Sequence, residues 1–405
     1  MYKAIFLTFF KNKKFRGALE LEFDNCKYVF GAKQADDSNQ GDIYSARIKV
    51  VNINFFKRVI LFGDTGFGEA FLFGEFTTPD LKRVLLWFVQ NKESLPGFRD
   101  KNILSILSVF TNLGLKFEHL RNKNTKTGSK NNIRAHYDVS NDFYRLWLDE
   151  TMTYSSAIFN NCTSLKEGQE NKYRRICEQI KLNESDRVLE IGCGWGGFAV
   201  FAAKNYGCHL TITTISEEQF IYVETLIKKE NLVDKIKLIK SDYRDLDGNF
   251  DKIVSIEMME ALGYEYVPLF LSKCQKLIKQ DGLMCLQCII YPDEYFQRYL
   301  RNPNFIKKYI FPGGELLSLK QIKEKTSSLN LEILDIHYIG QDYARTLHKW
   351  RENFIAREKE IKQLGLDEYF YRKWLYYFVY CEVGFETDYI NDVQILIKKN
   401  IWLST

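Results

Sequence analysis

The sequence predicts an α/β fold: a parallel sheet covered by helices on both faces, preceded by a smaller, β-rich α+β domain. Three observations predict it. From residue 187 onward, short Val-, Ile- and Leu-rich runs alternate with helical stretches of about ten residues or more, the pattern of a sheet buried on both sides. The first 100 residues read mostly as β instead. The length of 405 residues provides for two or three domains at roughly 100–200 residues each.

Composition narrows the class. Apolar residues make up 45% and charged residues 27%, with 24 Gly and 6 Pro, which excludes a disordered or collagen-like chain. No apolar run approaches the ~18 residues a membrane-spanning helix needs. The opening MYKAIFLTFFKNKKF is apolar and then basic, the reverse of a signal peptide, so a cytoplasmic protein is expected. The nine cysteines are odd in number and scattered, which argues against a disulfide framework and for a reducing compartment. Cys285 and Cys288 form a single CxxC within the strand-like run GLMCLQCII, with no second pair and no nearby His. Two packed core thiols are the better reading, and no metal site is expected.

In the N-terminal stretch (residues 1–100), GALELEF places Leu19, Leu21 and Phe23 on one face at period two. ARIKVVNINFFKRVILFG contains a second strand-like run. Gly63, Gly66 and Gly68 punctuate the next segment, and a short apolar helix is predicted over Leu81–Gln90 after Pro79. Residues 101–134 change character. An amphipathic helix candidate, KNILSILSVFTNLGLKF, leads into a linker with five basic residues and no acid: Arg121, Lys123, Lys126, Lys130 and Arg134. Residues 1–134 hold 22 Lys/Arg against 13 Asp/Glu, and residues 135–405 hold 35 against 39. The basic part would suit an anionic membrane surface or nucleic acid, or would simply be solvated.

In residues 135–405, strands are predicted at 187–191, 208–213, 235–240, 252–256, 283–290 and 331–337, with a last strand in VQILIKK. Helices are predicted at 196–206, 217–230, 266–279, 319–328, 344–362 and 367–387. The first strand runs into Gly192-Cys193-Gly194-Trp195-Gly196-Gly197 and then a helix. Glycines there let the backbone turn tightly and let a ligand approach the helix N-terminus. The loop satisfies GxGxxG. However, the TITTIS segment ~20 residues on lacks the acid a dinucleotide ribose would need, which demotes a nicotinamide cofactor. With Glu190 two residues ahead, E-x-G-x-G-x-G resembles motif I of the class I S-adenosylmethionine (SAM) methyltransferases.

Flanking motifs extend that resemblance. AHYDVSNDFYRLWLDETMTYSSAIF (135–159), EIGCGWGGFA, IEMMEALG (256–263), NPNFIKKYIFPGGELLS (302–318), IGQDYARTLHKW (339–350) and YCEVGF (380–385) stand in one concordant order. Together they resemble the cyclopropane-fatty-acyl-phospholipid synthase family, which includes the mycolic acid cyclopropane synthases. GDTGFGEAFLFGEF resembles the smaller domain ahead of the catalytic domain in full-length members.

The resemblance implies a class I SAM-methyltransferase Rossmann-like sheet with helical lipid-cap insertions. It divides the chain into an accessory domain (1–100), a helix and basic linker (101–134) and a catalytic domain (135–405). It implies SAM contacts at Tyr154, Ser155, Glu190, Gly192, Gly194, Gly196, Thr214, Gln219, Tyr243 and Arg244. Gln219 stands where an acid is usual. In the family a bicarbonate ion lies by the sulfonium methyl, held by backbone groups, a glutamate, a histidine and a tyrosine. The glutamate maps to Glu260 and the tyrosine to Tyr343. A C-terminal cysteine maps to Cys381, although SAM chemistry needs no thiol nucleophile. Two positions depart: Ser156 replaces a cysteine, and Gln287 replaces the histidine. Gln287 can donate to an anion but cannot carry a proton at neutral pH.

The implied reaction is methylene transfer to the cis double bond of unsaturated acyl chains in membrane phospholipids, giving a cyclopropane ring. Glu260, Tyr137, Tyr154 and Tyr343 are candidates to stabilise the cation that methyl attack would leave, and bicarbonate would take the proton. A methylene- or methyl-branched product, or a non-catalytic SAM- and lipid-binding relative, stays open given Ser156 and Gln287. A nucleic-acid partner is disfavoured, because no NPPY-like base-flipping motif is present and the acyl-type cap segment argues against it. The expected partners are phospholipid acyl chains and, transiently, the inner membrane face. A homodimer is one assembly compatible with the sequence.

Overall fold

The computed structural model describes residues 1–11, 13–31, 45–95, 140–302 and 304–400. The amphipathic stretch and basic linker of residues 101–134, and Tyr137, lie outside these. The chain forms two compact units. The first comprises Met1–Arg121, Asn302–Ile310 and Glu358–Thr387, and the second Asn122–Arg301, Phe311–Arg357 and Asp388–Thr405.

In the first unit, β1 (Leu19–Phe23) and β2 (Cys26–Phe30) form a hairpin. Asp24 and Asn25 between them take left-handed φ values of 52° and 58°, the conformation a tight two-residue hairpin turn requires. β3 (Ala46–Val50) joins β1 in parallel, and β4 (Phe76–Thr77) completes the order β2-β1-β3-β4. Leu19 and Leu21 are buried on one face, as their spacing predicts.

The rest of the unit is more helical than its sequence suggests. The strand-like run expected within residues 46–63 is β3, but Tyr2–Lys11 and Asn54–Leu72 are helices, the second kinked at Gly63. The β preference of these Phe-rich segments yields to packing. Phe6, Phe10, Phe55, Phe56 and Phe76 are all buried, with Phe6 and Phe10 one helical turn apart and stacked at 4.3 Å.

Two later segments, expected within the catalytic stretch, belong to this unit: the helices Phe305–Tyr309 and Glu368–Glu386. Gly68 shows why. A Cβ there would lie 2.5 Å from the Phe305 ring and 3.0 Å from Tyr376, so only glycine admits both rings. Beside it, the nearly buried Glu69 carboxylate accepts from Lys308 Nζ (2.9 Å) and Tyr309 Oη (2.7 Å) and pairs with Arg58 (3.3 Å). Lys82 likewise bridges Glu382 and Glu386.

The second unit is built on a seven-stranded sheet. Its strands are β5 (Arg187–Ile191), β6 (His209–Thr214), β7 (Ile236–Lys240), β8 (Phe250–Ile256), β9 (Ile278–Ile290), β10 (Leu331–Tyr338) and β11 (Asn391–Lys399). The order is β10-β11-β9-β8-β5-β6-β7. All neighbours are parallel except β11, which runs antiparallel to both β9 and β10. Each strand expected from residue 187 onward is present.

Period-two alternation splits the core in two. Leu189, Ile253, Met284, Leu286, Cys288 and Ile395 face one apolar layer with the helices Val267–Leu277 and Leu319–Ser328. Val188, Ile212, Val254 and Cys285 face the other, with the helices Leu165–Gln179 and Gly197–Tyr206. The two thiols of the CxxC therefore lie on opposite faces of the sheet, each fully buried and each pushed up in pKa by that burial. They cannot share a metal or close a disulfide.

From β5 the chain winds outward through β6 to β7, then crosses back to β8 on the other side of β5. Such a reversal opens a crevice at the carboxyl ends of the two central strands. Both the glycine loop and the IEMMEALG segment leave the sheet there.

Replacing Glu69 with Ala removes the acceptor shared by three partly buried donors. Unfolding in urea is expected to show a loss of about 2 kcal/mol. A loss under ~0.5 kcal/mol would mean the cluster behaves as a screened surface pair.

Candidate active site

The glycine loop follows β5 directly. Gly192, Gly194 and Gly196 take φ values of 82°, 52° and 85°, conformations that β-carbon sterics disfavour elsewhere. The loop is pinned by Thr213 O of β6, which accepts from the Gly192 and Cys193 amides at 3.1 and 2.8 Å. A Cβ on Gly192 would fall 2.5 Å from Met258 Cγ. The loop thus packs against the segment that leaves β8, and the two halves of the crevice are contiguous.

That segment is where the structure adds most. Glu257 follows β8 with φ 47°, a rare value for a non-glycine residue and one associated with functional sites. Its amide donates to Gln287 O (2.9 Å). Its carboxylate collects three donors from three separate elements. Oε1 accepts from the Ser156 amide and from Gln287 Nε2, both at 2.8 Å, and Oε2 accepts from Tyr343 Oη at 2.6 Å. Gln287 and Tyr343, which stand where the bicarbonate's histidine and tyrosine were expected, and Ser156, which replaces the family's cysteine, are therefore brought together, but around Glu257. A separate bicarbonate does not fit: its donors are already committed to a carboxylate supplied by the chain.

Around this group the polar edge of the sheet is continuous. Gln287 also donates to Asp392 (2.9 Å) and accepts from Gln394 (3.1 Å), which fixes its amide orientation. Lys172, fully buried on the helix Leu165–Gln179, donates to Ser155 Oγ at 2.6 Å. Burial pulls Lys172 down to about 8, against the attraction of Glu257, Asp149, Asp392 and Glu190. Glu190, Gln287, Asp392 and Gln394 occupy the strand positions that face this helix. Burial pushes Glu190 and Asp392 well up, Asp392 further through the charges of Glu257 and Glu260.

Glu260 lies one turn on, in the short 3-10 segment Met259–Ala261. It does not join the donor cluster. Oε1 accepts from the Ile289 amide, and the enclosed Oε2 has no hydrogen-bond partner among the described residues. Burial, reinforced by the nearby Glu257 charge, raises it to about 8.

An aromatic wall links the loop to the carboxylates. Trp195 of the loop meets Tyr144 (4.9 Å), Tyr144 meets Tyr154 (5.8 Å), Tyr154 meets Trp350 (5.4 Å), and Trp350 meets Tyr343 (6.1 Å). Thr214 donates to Gln219 Oε1 at 2.8 Å at the start of the helix Glu217–Lys229. Tyr243 is buried, and burial raises its phenol to about 12. Arg244 is held in a fork by Asp242, at 2.7 and 2.6 Å. Cys381 belongs to the first unit, on the helix Glu368–Glu386, with its thiol pushed up by burial.

Sequence reasoning missed Glu257, Lys172 and Asp392. Glu257 stood in the quoted IEMMEALG, three residues before the glutamate chosen. The second acid just past an apolar strand was the available signal. Lys172 carried none, because a lysine on a polar helix reads as exposed.

A profile of the family described as mycolic acid cyclopropane synthetase matches residues 124–395. The chain belongs to this family. It is 33% identical over 347 residues to the tuberculostearic acid methyltransferase of Mycobacterium tuberculosis, covering 84% of this chain and 79% of the relative. It is 32% identical over 361 residues to the cyclopropane-fatty-acyl-phospholipid synthase of Escherichia coli, covering 88% of each. Among solved structures, the mycolic acid cyclopropane synthase CmaA1 complexed with SAH and CTAB superposes with a TM-score of 0.63 at 30% identity, over 67% of this chain and 98% of that one. The expected fold and enzyme class hold: this family member is a SAM-dependent methyltransferase with the class I fold. Its glycine loop fits that cofactor: a Cβ at Gly194 would meet nothing within 4 Å, so the loop stays open to a ligand there.

Folded Glu260 keeps its proton up to about pH 8, whereas the unfolded chain releases it near the ordinary 4.5. Between these values the folded state binds more protons, so stability falls as pH rises. In Glu260→Gln this fall is expected to flatten by up to about 1.4 kcal/mol per pH unit, read from urea unfolding across that range. Parallel wild-type and variant curves would contradict the assignment.

Proposed function

We propose that this protein transfers the methyl group of SAM to the double bond of an unsaturated acyl chain in a membrane phospholipid and closes a cyclopropane ring. The observation that carries this reading is the contiguity of the glycine cradle with an enclosed carboxylate cluster lined by aromatic rings. Relatives named for cyclopropane and fatty-acid methyl chemistry support it.

An isolated alkene is a weak nucleophile, so the protein's task is positioning, exclusion of water and charge stabilisation. When bound, SAM supplies an activated methyl electrophile. The loop amides around Gly192–Gly196 and the Glu190 carboxyl would hold it, with Tyr154, Ser155, Thr214, Gln219, Tyr243 and Arg244 around it. The faces of Tyr154, Tyr343 and Trp350 suit positive charge developing on the acyl chain, and a carboxylate beside them adds to that stabilisation. The same cation can lose a neighbouring proton instead and yield a branched chain. Relatives named as tuberculostearic acid and sphingolipid C9 methyltransferases favour keeping that second outcome in view.

Incubation with SAM and unsaturated phospholipid vesicles is expected to add about 14 mass units per modified acyl chain, the transferred methyl less one proton. Gas chromatography of the released chains separates a ring from a branch. No mass gain while SAM binds would overturn the reading.

Among the described residues no helix is long and apolar enough to cross a membrane. On this proposal the enzyme reaches its bilayer substrate at the surface, through the basic stretch Arg121, Lys123, Lys126, Lys130 and Arg134. Vesicle binding is then expected to weaken as salt rises and as anionic lipid is removed. Binding indifferent to both would refute that role.

A further inference from the structure

We infer that Glu257 is the general base of the reaction, an internal carboxylate that takes the place of a bound bicarbonate ion. The inference rests on the proposed methyl transfer to an alkene and names the proton acceptor that such a reaction requires.

Geometry carries it. The Ser156 amide, the Gln287 side-chain amide and the Tyr343 hydroxyl converge from three elements on the two oxygens of Glu257, at 2.8, 2.8 and 2.6 Å. These are the groups that would otherwise hold a small oxyanion, and three donors to two oxygens is the arrangement a carboxylate accepts. The adjacent Met258 touches the floor of the glycine loop, through the close approach at Gly192, so the carboxylate stands beside the cofactor cradle. The backbone strain at Glu257 has no structural benefit that glycine would not give better. It holds this one side chain inside the cluster.

The step balances without an added co-reactant. The alkene's π pair forms the new bond to the methyl carbon as the methyl–sulfur bond breaks toward sulfur, leaving a cation on the adjacent acyl carbon. A C–H bond of the added methyl then breaks, its electron pair closes onto the cationic carbon, and the proton passes to a Glu257 oxygen. Gln287 explains itself in this scheme. It donates to the carboxylate and brings no competing proton.

The test uses the full chain, SAM, and vesicles of equal parts dioleoylphosphatidylcholine and dioleoylphosphatidylglycerol. Wild-type turnover is expected to be the same in CO₂-free buffer and with added bicarbonate. Glu257→Gln should lose at least ~100-fold in rate while SAM affinity by calorimetry is kept. Glu257→Gly, which relieves the positive φ and opens a cavity, should lose as much and be partly restored by bicarbonate. Stimulation of the wild type by bicarbonate, or near-normal turnover by Glu257→Gln to the same product, would overturn the inference. If the wild type binds SAM but modifies no lipid, the functional reading fails instead. Line broadening of ¹³C-bicarbonate on the S-adenosylhomocysteine-loaded proteins then still decides the site: it is expected with Glu257→Gly and not with wild type, and equal broadening would overturn the inference.

Discussion

The site depends on one constraint: four carboxyl groups, two buried and two half-buried, gather at one end of the sheet with a buried lysine among them. Glu190, Glu257 and Glu260 lie at or beyond the carboxyl ends of β5 and β8, Asp392 lies at the start of the antiparallel β11, and Lys172 is the cation that reaches toward them. Charges taken out of water are tolerated only when paired, hydrogen-bonded or neutralised. The fold uses all three answers. Glu257 receives three donors, Glu260 and Asp392 are driven toward their neutral forms, and Lys172 faces the remainder.

Topology makes that arrangement possible. The winding reverses between β5 and β8, so the loops after these strands diverge and leave a crevice. β9 and the antiparallel β11 then place Gln287 and Gln394 side by side on the face that carries Lys172. A parallel neighbour in place of β11 would not bring Asp392, at that strand's start, beside Gln287 near the end of β9. The reversed strand is therefore part of the site's construction and not only a way to finish the sheet.

Much of the second unit was legible because its signals are local. Strand runs, caps and the glycine loop are written in adjacent residues, and β5 through β11 lie where periodicity puts them. The first unit was less legible. Phe55, Phe56, Phe67 and Phe71 suit a strand and a helix alike by propensity, and only their packing with Phe6 and Phe76 decides. The return of residues 302–310 and 358–387 to that unit was equally invisible, since it depends on Gly68 meeting Phe305 across more than 200 residues. In the site, motif order located Ser156, Gln287 and Tyr343. Which group they hold was not written locally, because the answer is a three-way convergence in space.

The two departures from the family pattern then become parts of one solution. At position 156 the backbone amide makes the contact, so serine in place of cysteine costs nothing there; its hydroxyl turns away to Ala157 O. At position 287 a histidine could add positive charge and a titrating proton next to Glu257. Glutamine supplies a fixed neutral donor to Glu257 and a second to Asp392, while its oxygen is satisfied by Gln394. A neutral donor orients the carboxylate through a hydrogen bond without placing a second charge beside it. Taken singly, Ser156 and Gln287 look like losses. Taken with Glu257, they are what a site needs once its oxyanion is carried by the chain itself.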